Sequence, residues 1–135
     1  MSPVRGIRGA TTATGNEAGA IVEATSELLE ELVSRNDIRT EEIAFAYFTT
    51  TRDLDAEFPA LAARRLGWLD VPLLCGHDME VQQPNPRGVS LCIRIVILYN
   101  TDRAQSEMRH AYLRGAEAIK QDLDQMRQTQ DAMAP

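Results

Sequence analysis

The chain has 135 residues, 44% of them hydrophobic, with 14 Lys and Arg against 20 Asp and Glu for a formal charge of -6. That length suits one core, and no apolar run is long enough to cross a bilayer. An acidic surface repels phosphate backbones and no basic run interleaved with aromatics offsets it, so neither nucleic acid nor membrane is an expected partner.

In chain order, "VRGIRGATT" (4–12) reads as a short strand carrying Arg5 and Arg8, with Gly6 and Gly9 suited to a bend or a close backbone approach. From Asn16, taken as the cap, Ile21, Val22, Leu28, Leu29, Leu32 and Val33 recur at helical spacing until Asn36 and Asp37. Thr40 with two glutamates opens a short turn, and "IAFAYFTTT" (43–51) has the β-branched and aromatic content of a strand. "FPALAARRL" (58–66) predicts one or two helical turns, with Pro59 near the start and Gly67 ending them. "VPLLC" (71–75) is expected as a short buried strand, and "QQPNPRGVS" (82–90) as a loop. "VSLCIRIVILYN" (89–100) is the clearest strand. "DRAQSEMRHAYLRGAEAI" (102–119) predicts a second helix with Met108, Ala111, Tyr112 and Ile119 on one side. One domain over 1–119 is expected, with 120–135 as a polar, flexible C-terminal tail.

This order is an α+β pattern around one mixed sheet, with two main helices and one short one. Too few helices exist to cover both sheet faces. Both faces of the strand near 91–99 are apolar, one through Ile93, Ile95 and Ile97, the other through Cys92, Val96 and Leu98. The helices are expected on one face and another copy of the chain on the other. Arg94 interrupts the second face. A guanidinium does not escape burial by losing its proton, so it needs an anion. An internal partner, Asp78 or Glu80, answers that need as well as a ligand does.

Other chemistry is thin. "CGHDMEV" gathers cysteine, histidine and two carboxylates, but its spacing fits no zinc pattern and no second cluster accompanies it. A Cys/His nucleophile there lacks an orienting third group. Met79 and Met108 are expected as packing residues. Arg8 alone reads as a strand-end arginine reaching solvent, and Tyr112 as a core aromatic whose hydroxyl finds an acceptor. Cys75 and Cys92 form no CxxC pair and are expected as free thiols. No signal-like apolar segment follows the opening residues, so a cytoplasmic location is expected.

Taken together and in order, "VRGIRGATT", "DLDAEFPALAAR", "GW" followed by "VPLLC", "CIR" and "RHAYL" resemble the AroH class of chorismate mutase, over most of residues 4 to 114. The resemblance implies a trimer whose three sheets pack into a barrel-like core, with active sites at clefts between subunits. It implies the Claisen rearrangement of chorismate to prephenate, in aromatic amino acid biosynthesis, without cofactor or metal. In that reading Arg94 meets the ether oxygen as its C–O bond lengthens, and Arg8 grips a substrate carboxylate. Tyr112 holds that carboxylate or Arg8, and Asp78 accepts a hydrogen bond from the ring hydroxyl. Phe58, Ala60 and Arg64 are expected as wall residues from the neighbouring subunit, with Leu73, Leu74 and Cys75 lining the other side. Three departures stand out: Asp78 replaces the family's usual glutamate, Leu61 its lysine after "FPA", and Lys120 its C-terminal arginine. The loop before "CIR" is also longer. A non-catalytic trimer binding a small carboxylate is the alternative those departures suggest.

Overall fold

The computed structural model describes residues 2–133. Five strands, Val4–Thr12 (β1), Ile43–Thr50 (β2), Leu73–His77 (β3), Cys92–Asn100 (β4) and Ala111–Tyr112 (β5), form one mixed sheet in the order β3-β2-β4-β1-β5. The central strand β4 runs antiparallel to β1 and β2, while the edge strands β3 and β5 pair in parallel with β2 and β1. Three α-helices accompany it: Ala18–Asn36 (α1), Ala60–Arg65 (α2) and Glu117–Met133 (α3). The expected class, α+β with two long helices and one short, is the one observed.

Alternation along the strands separates two faces. Ile7, Phe48, Ile95 and Ile97 point one way and are fully or almost fully buried beneath Leu28, Leu29 and Leu32 of α1. Each such leucine contributes roughly 1.5–3 kcal/mol by leaving water. The close approach depends on Gly9, since a Cβ there would lie 2.8 Å from Leu32 Cδ1 and 3.1 Å from Leu28 Cδ1. The opposite face is open, with Leu74 56% and Val96 41% exposed and Phe45, Tyr47 and Leu98 half-covered. One sheet face under helices and one bare is what the short list of helices predicts.

Side chains close much of the outer edge of β1. Gln105 Oε1 accepts the Gly6 N–H at 2.8 Å and its Nε2 donates to the Gly6 carbonyl at 2.6 Å. His110 Nδ1 accepts the Arg8 N–H at 2.9 Å, and the Leu113 N–H donates to the Ala10 carbonyl at 2.9 Å. Main-chain groups that an edge strand leaves idle are thereby satisfied.

Four expectations need correction. Residues 102–119 do not form one helix: a single 3-10 turn (Gln105–Glu107), β5 and another 3-10 turn (Arg114–Ala116) precede α3. The cause lies in α1, where fully buried Asn36 behaves like a strand neighbour. Its Oδ1 accepts the Arg109 N–H at 2.7 Å, and its Nδ2 donates to the Arg109 carbonyl at 2.8 Å and to the Leu32 carbonyl at 2.9 Å. Those bonds claim the groups a helix through 109 needs. Second, the polar stretch after 120 is helical through Met133, so α3 starts at Glu117 instead of ending near there. Third, Asn16 does not cap α1. It pins the loop after β2, accepting the Asp55 and Ala56 amides at 3.0 Å and donating to Asp55 Oδ1 at 2.7 Å. Fourth, the strand expected at "VPLLC" starts at Leu73 and extends to His77 as an edge strand, exposed or half-covered rather than buried because nothing pairs beyond it among the described residues, while Val71 just ahead of it is buried.

Candidate active site

Strand register assembles the site. Tyr112 lies beside Ala10, Ala10 opposite Arg94, Arg94 opposite Thr49, and Thr49 beside Gly76, so one row crosses all five strands on the open face. The small Ala10 separates Tyr112 from Arg94. Arg8 stands in the next row, opposite Val96 and on the same face, a diagonal neighbour about 7–8 Å from Arg94 between Cα atoms. Of the four residues expected to act on substrate, three therefore share one side of the sheet by register alone.

The fourth, Asp78, follows the end of β3 and reaches Arg94 from there. Its Oδ1 accepts from Arg94 Nη2 at 3.0 Å and Nε at 3.3 Å. The Asp78 side chain is 16% exposed and that of Arg94 51%, so the acid is rooted while the guanidinium faces outward. Of the two internal partners weighed for Arg94, Asp78 is the one used, and Glu80 pairs with Arg52 at 2.8 Å. The pair is one-sided: among the described residues, Arg94 Nη1 and Asp78 Oδ2 have no hydrogen-bond partner.

Arg94 opens into a cleft of about 1280 Å³, bounded by the 78–90 loop on one side and by Ala118, Ile119 and Asp122 of α3 on the other. Arg87 on the loop approaches Asp122 on α3 at 3.7 Å. Met79, expected to pack, is 85% exposed on this loop because no core residue faces it, whereas Met108 is buried as expected. Ile119 lines the cleft, while its neighbour Lys120 is exposed and outside the lining. Below the ion pair, Cys92 is buried. Burial first, then the Asp78 charge, push its thiol up to about 11, with Arg94 acting in the opposite sense.

The expected wall residues lie elsewhere in the chain. Phe58 is 69% exposed just before α2, and Ala60 and Arg64 belong to α2. Leu73 and Cys75 point inward from β3 against the core, and Leu74 points to the open face. Burial raises the Cys75 thiol, while the Ala60 amide and the Arg64 charge oppose that shift. Cys75 thus sits beside Ala60 and Arg64 of its own chain. β3 and α2 pack together within the chain. None of these six lines the Arg94 cleft of the same chain.

The "CGHDMEV" donors are otherwise engaged. His77 Nδ1 lies 3.1 Å from Thr50 Oγ1, and both acids are in ion pairs. Among the described residues no group of three or more His, Cys, Asp or Glu is placed to hold a metal ion. No helix among them is long and apolar enough to cross a membrane.

A profile of the family Chorismate mutase type I matches residues 4–123. The chain belongs to the chorismate mutase type I family. Among proteins similar to it are the chorismate mutase AroH of Thermus thermophilus, 44% identical over 122 residues, and that of Bacillus subtilis (strain 168), 36% identical over 128 residues. The first alignment covers 90% of this chain and 97% of the relative, the second 94% and 98%. A solved chorismate mutase from Clostridium thermocellum superposes with a TM-score of 0.78 at 41% identity, covering 83% of this chain and 96% of that one. The chorismate mutase match reaches seven residues into α3, so the stretch expected as a tail begins inside the family's span.

Two further residues hold this constellation and escape a sequence reading, Asn36 and His110. Neither is charged at neutral pH or part of an apolar pattern. The partners that explain them, Arg109 and Arg8, are 73 and 102 positions away.

Proposed function

We propose that this protein is a chorismate mutase, an isomerase that rearranges chorismate to prephenate without a covalent intermediate. Family membership supports the reaction. The observation that carries the mechanism is the one-sided ion pair, an arginine anchored by Asp78 through Nε and Nη2 with Nη1 and half its surface facing a cleft.

The substrate is a dicarboxylate whose ether C–O bond lengthens before the new C–C bond closes, so negative charge gathers on the ether oxygen. A donor already in place stabilises that charge without reorganising, an effect worth roughly 3–4 kcal/mol per donor of this kind in other enzymes. Arg94 supplies that donor through its outer edge. Asp78 sets the orientation of the guanidinium, and its free Oδ2 is the acceptor for the ring hydroxyl. Arg8 grips a carboxylate, and Tyr112, two strands from Arg94 across the small Ala10, steadies it. Holding the enolpyruvyl arm over the ring converts a rare conformer into the bound one.

The site is shared between copies in a homotrimer. Phe58, Ala60 and Arg64 of a neighbouring chain form one wall, and Leu73, Leu74 and Cys75 line the other side, consistent with the absence of all six from the cleft within one chain. The bare apolar face around Val96 and Leu74 is the surface such an assembly covers. Shorter Asp78, Leu61 in place of a lysine and the outward Lys120 leave fewer charges around the substrate. They affect affinity more than the chemical step.

Loss of chorismate absorbance tests the reading. Purified protein accelerates it, and Arg94→Ala lowers kcat by 10²-fold or more, in line with removal of one transition-state donor. A parent protein that leaves chorismate at its uncatalysed rate rejects the proposal. Mixing Arg94→Ala with Arg64→Ala subunits tests sharing, because mixed trimers regain intact sites.

A further inference from the structure

We infer that His110 is a positioning residue for Arg8: its imidazole stands in for a missing strand acceptor and fixes the backbone from which the Arg8 guanidinium reaches a substrate carboxylate. The inference rests on the proposed role of Arg8 in carboxylate binding. A parallel neighbour normally offers carbonyls to every second amide of β1. β5 is only two residues long, pairing Gly9 with Ala111 and Ala10 with Tyr112, and stops short of Arg8. His110 Nδ1 fills the gap at 2.9 Å.

The ring is held in that place from several directions. Asn36 grips both main-chain groups of Arg109, Arg35 Nη1 donates to the His110 carbonyl at 2.9 Å, and Ala111 enters the ladder. To accept from an amide, Nδ1 must carry no proton, so the neutral ring has its hydrogen on Nε2. The charged groups facing it are Arg8 from β1, Arg127 from α3 and Arg35 from α1, the last neutralised by Glu31 at 2.6 Å. Burial first, then the charges of Arg8 and Arg127, hold the imidazole pKa below its ordinary value. The acceptor is therefore present at neutral pH. As pH falls through that lowered pKa, N–H meets N–H, and a new cation appears beside Arg8.

Two readouts test this on the full-length protein: kcat and KM for chorismate between pH 5 and 8, and the ¹⁵N–¹H shift of the Arg8 amide over the same range. In the parent, the amide moves through a single titration below 6.5, and kcat/KM falls with it, chiefly through KM. His110→Ala loses roughly tenfold in kcat/KM at pH 7.5, again through KM, the scale of one lost orienting hydrogen bond. His110→Asn, whose Oδ1 can accept the same amide, recovers most of that loss and lacks the acid limb. A purely structural role predicts equal deficits in both variants and no pH-linked change. Equal deficits, an acid limb persisting in His110→Asn, or an Arg8 amide indifferent to pH each overturn the inference. If the parent does not turn over chorismate, the substrate assignment fails, while the amide titration still decides whether His110 governs the Arg8 backbone.

Discussion

Replacing Asn36 with alanine tests why residues 103–113 take the path they do. Its side chain is fully buried and makes three hydrogen bonds, two to the main chain of Arg109 and one to the Leu32 carbonyl. A typical bond contributes about 1 kcal/mol net, and orphaned partners without water add to that. Arg109 is near the surface, where water can replace part of what is lost. The expected cost is then about 2–4 kcal/mol, a large share of a domain's margin of roughly 5–15 kcal/mol. Urea unfolding at fixed protein concentration reads it as a lower midpoint at similar slope. Hydrogen exchange supplies the local signature: the Arg109 amide, and then Ala111 and Leu113, lose protection well before β4 does. A midpoint shift worth less than about 0.5 kcal/mol, or uniform loss of protection, would refute the claim that Asn36 shapes this segment.

Three further outcomes are expected. Thr11 Oγ1 is buried with no hydrogen-bond partner among the described residues, so Thr11→Val, similar in shape, stabilises by about 1 kcal/mol in thermal unfolding; destabilisation would show that the hydroxyl is satisfied. Cys92, with its thiol near 11, resists a disulfide reagent at pH 8, whereas half-exposed Cys75 reacts first although its thiol is also raised; the reverse order in a mass-resolved time course contradicts the burial described. At Asp78, kcat/KM falls from the parent to Asp78→Asn to Asp78→Ala, the last by roughly 10²-fold, because asparagine still offers Arg94 an acceptor and alanine none. Stability changes little across that series, since the Arg94 side chain is half-exposed and water screens its charge.

Much of this architecture is legible in the chain because its signals are local. β1, α1, β2, α2 and β4 announce themselves through periodicity, β-branching or a terminating glycine, and Asp37 ends α1 in the left-handed conformation at φ 55°. Arg94 is visible because a charge interrupts an apolar strand. The 102–119 stretch misleads for the opposite reason: Met108, Ala111 and Tyr112 have helical spacing, but the main chain around them is claimed from far away in sequence, Arg109 by Asn36, Ala111 and Tyr112 by the ladder to Gly9 and Ala10, and Leu113 by the Ala10 carbonyl. α3 carried a signal, a run free of Gly and Pro with four Gln, two Met and two Ala, which favours helix even without a buried face. Its polarity masks that propensity. The Arg94–Asp78 contact could be named in advance only as one of two choices, since selecting between Asp78 and Glu80 depends on where β3 ends.

The row that runs from Tyr112 through Ala10 and Arg94 to Gly76 turns the sheet into a ruler. Its graduations are strand spacings of about 4.8 Å, so no group on it can be moved sideways by a fraction of a step without breaking a ladder. Fine adjustment is left to side-chain length and to loops at the margin, here the reach of Asp78 and the 78–90 connection before β4. Retuning such a catalyst toward a bulkier or slimmer guest is then a matter of choosing reach, not of relocating anchors.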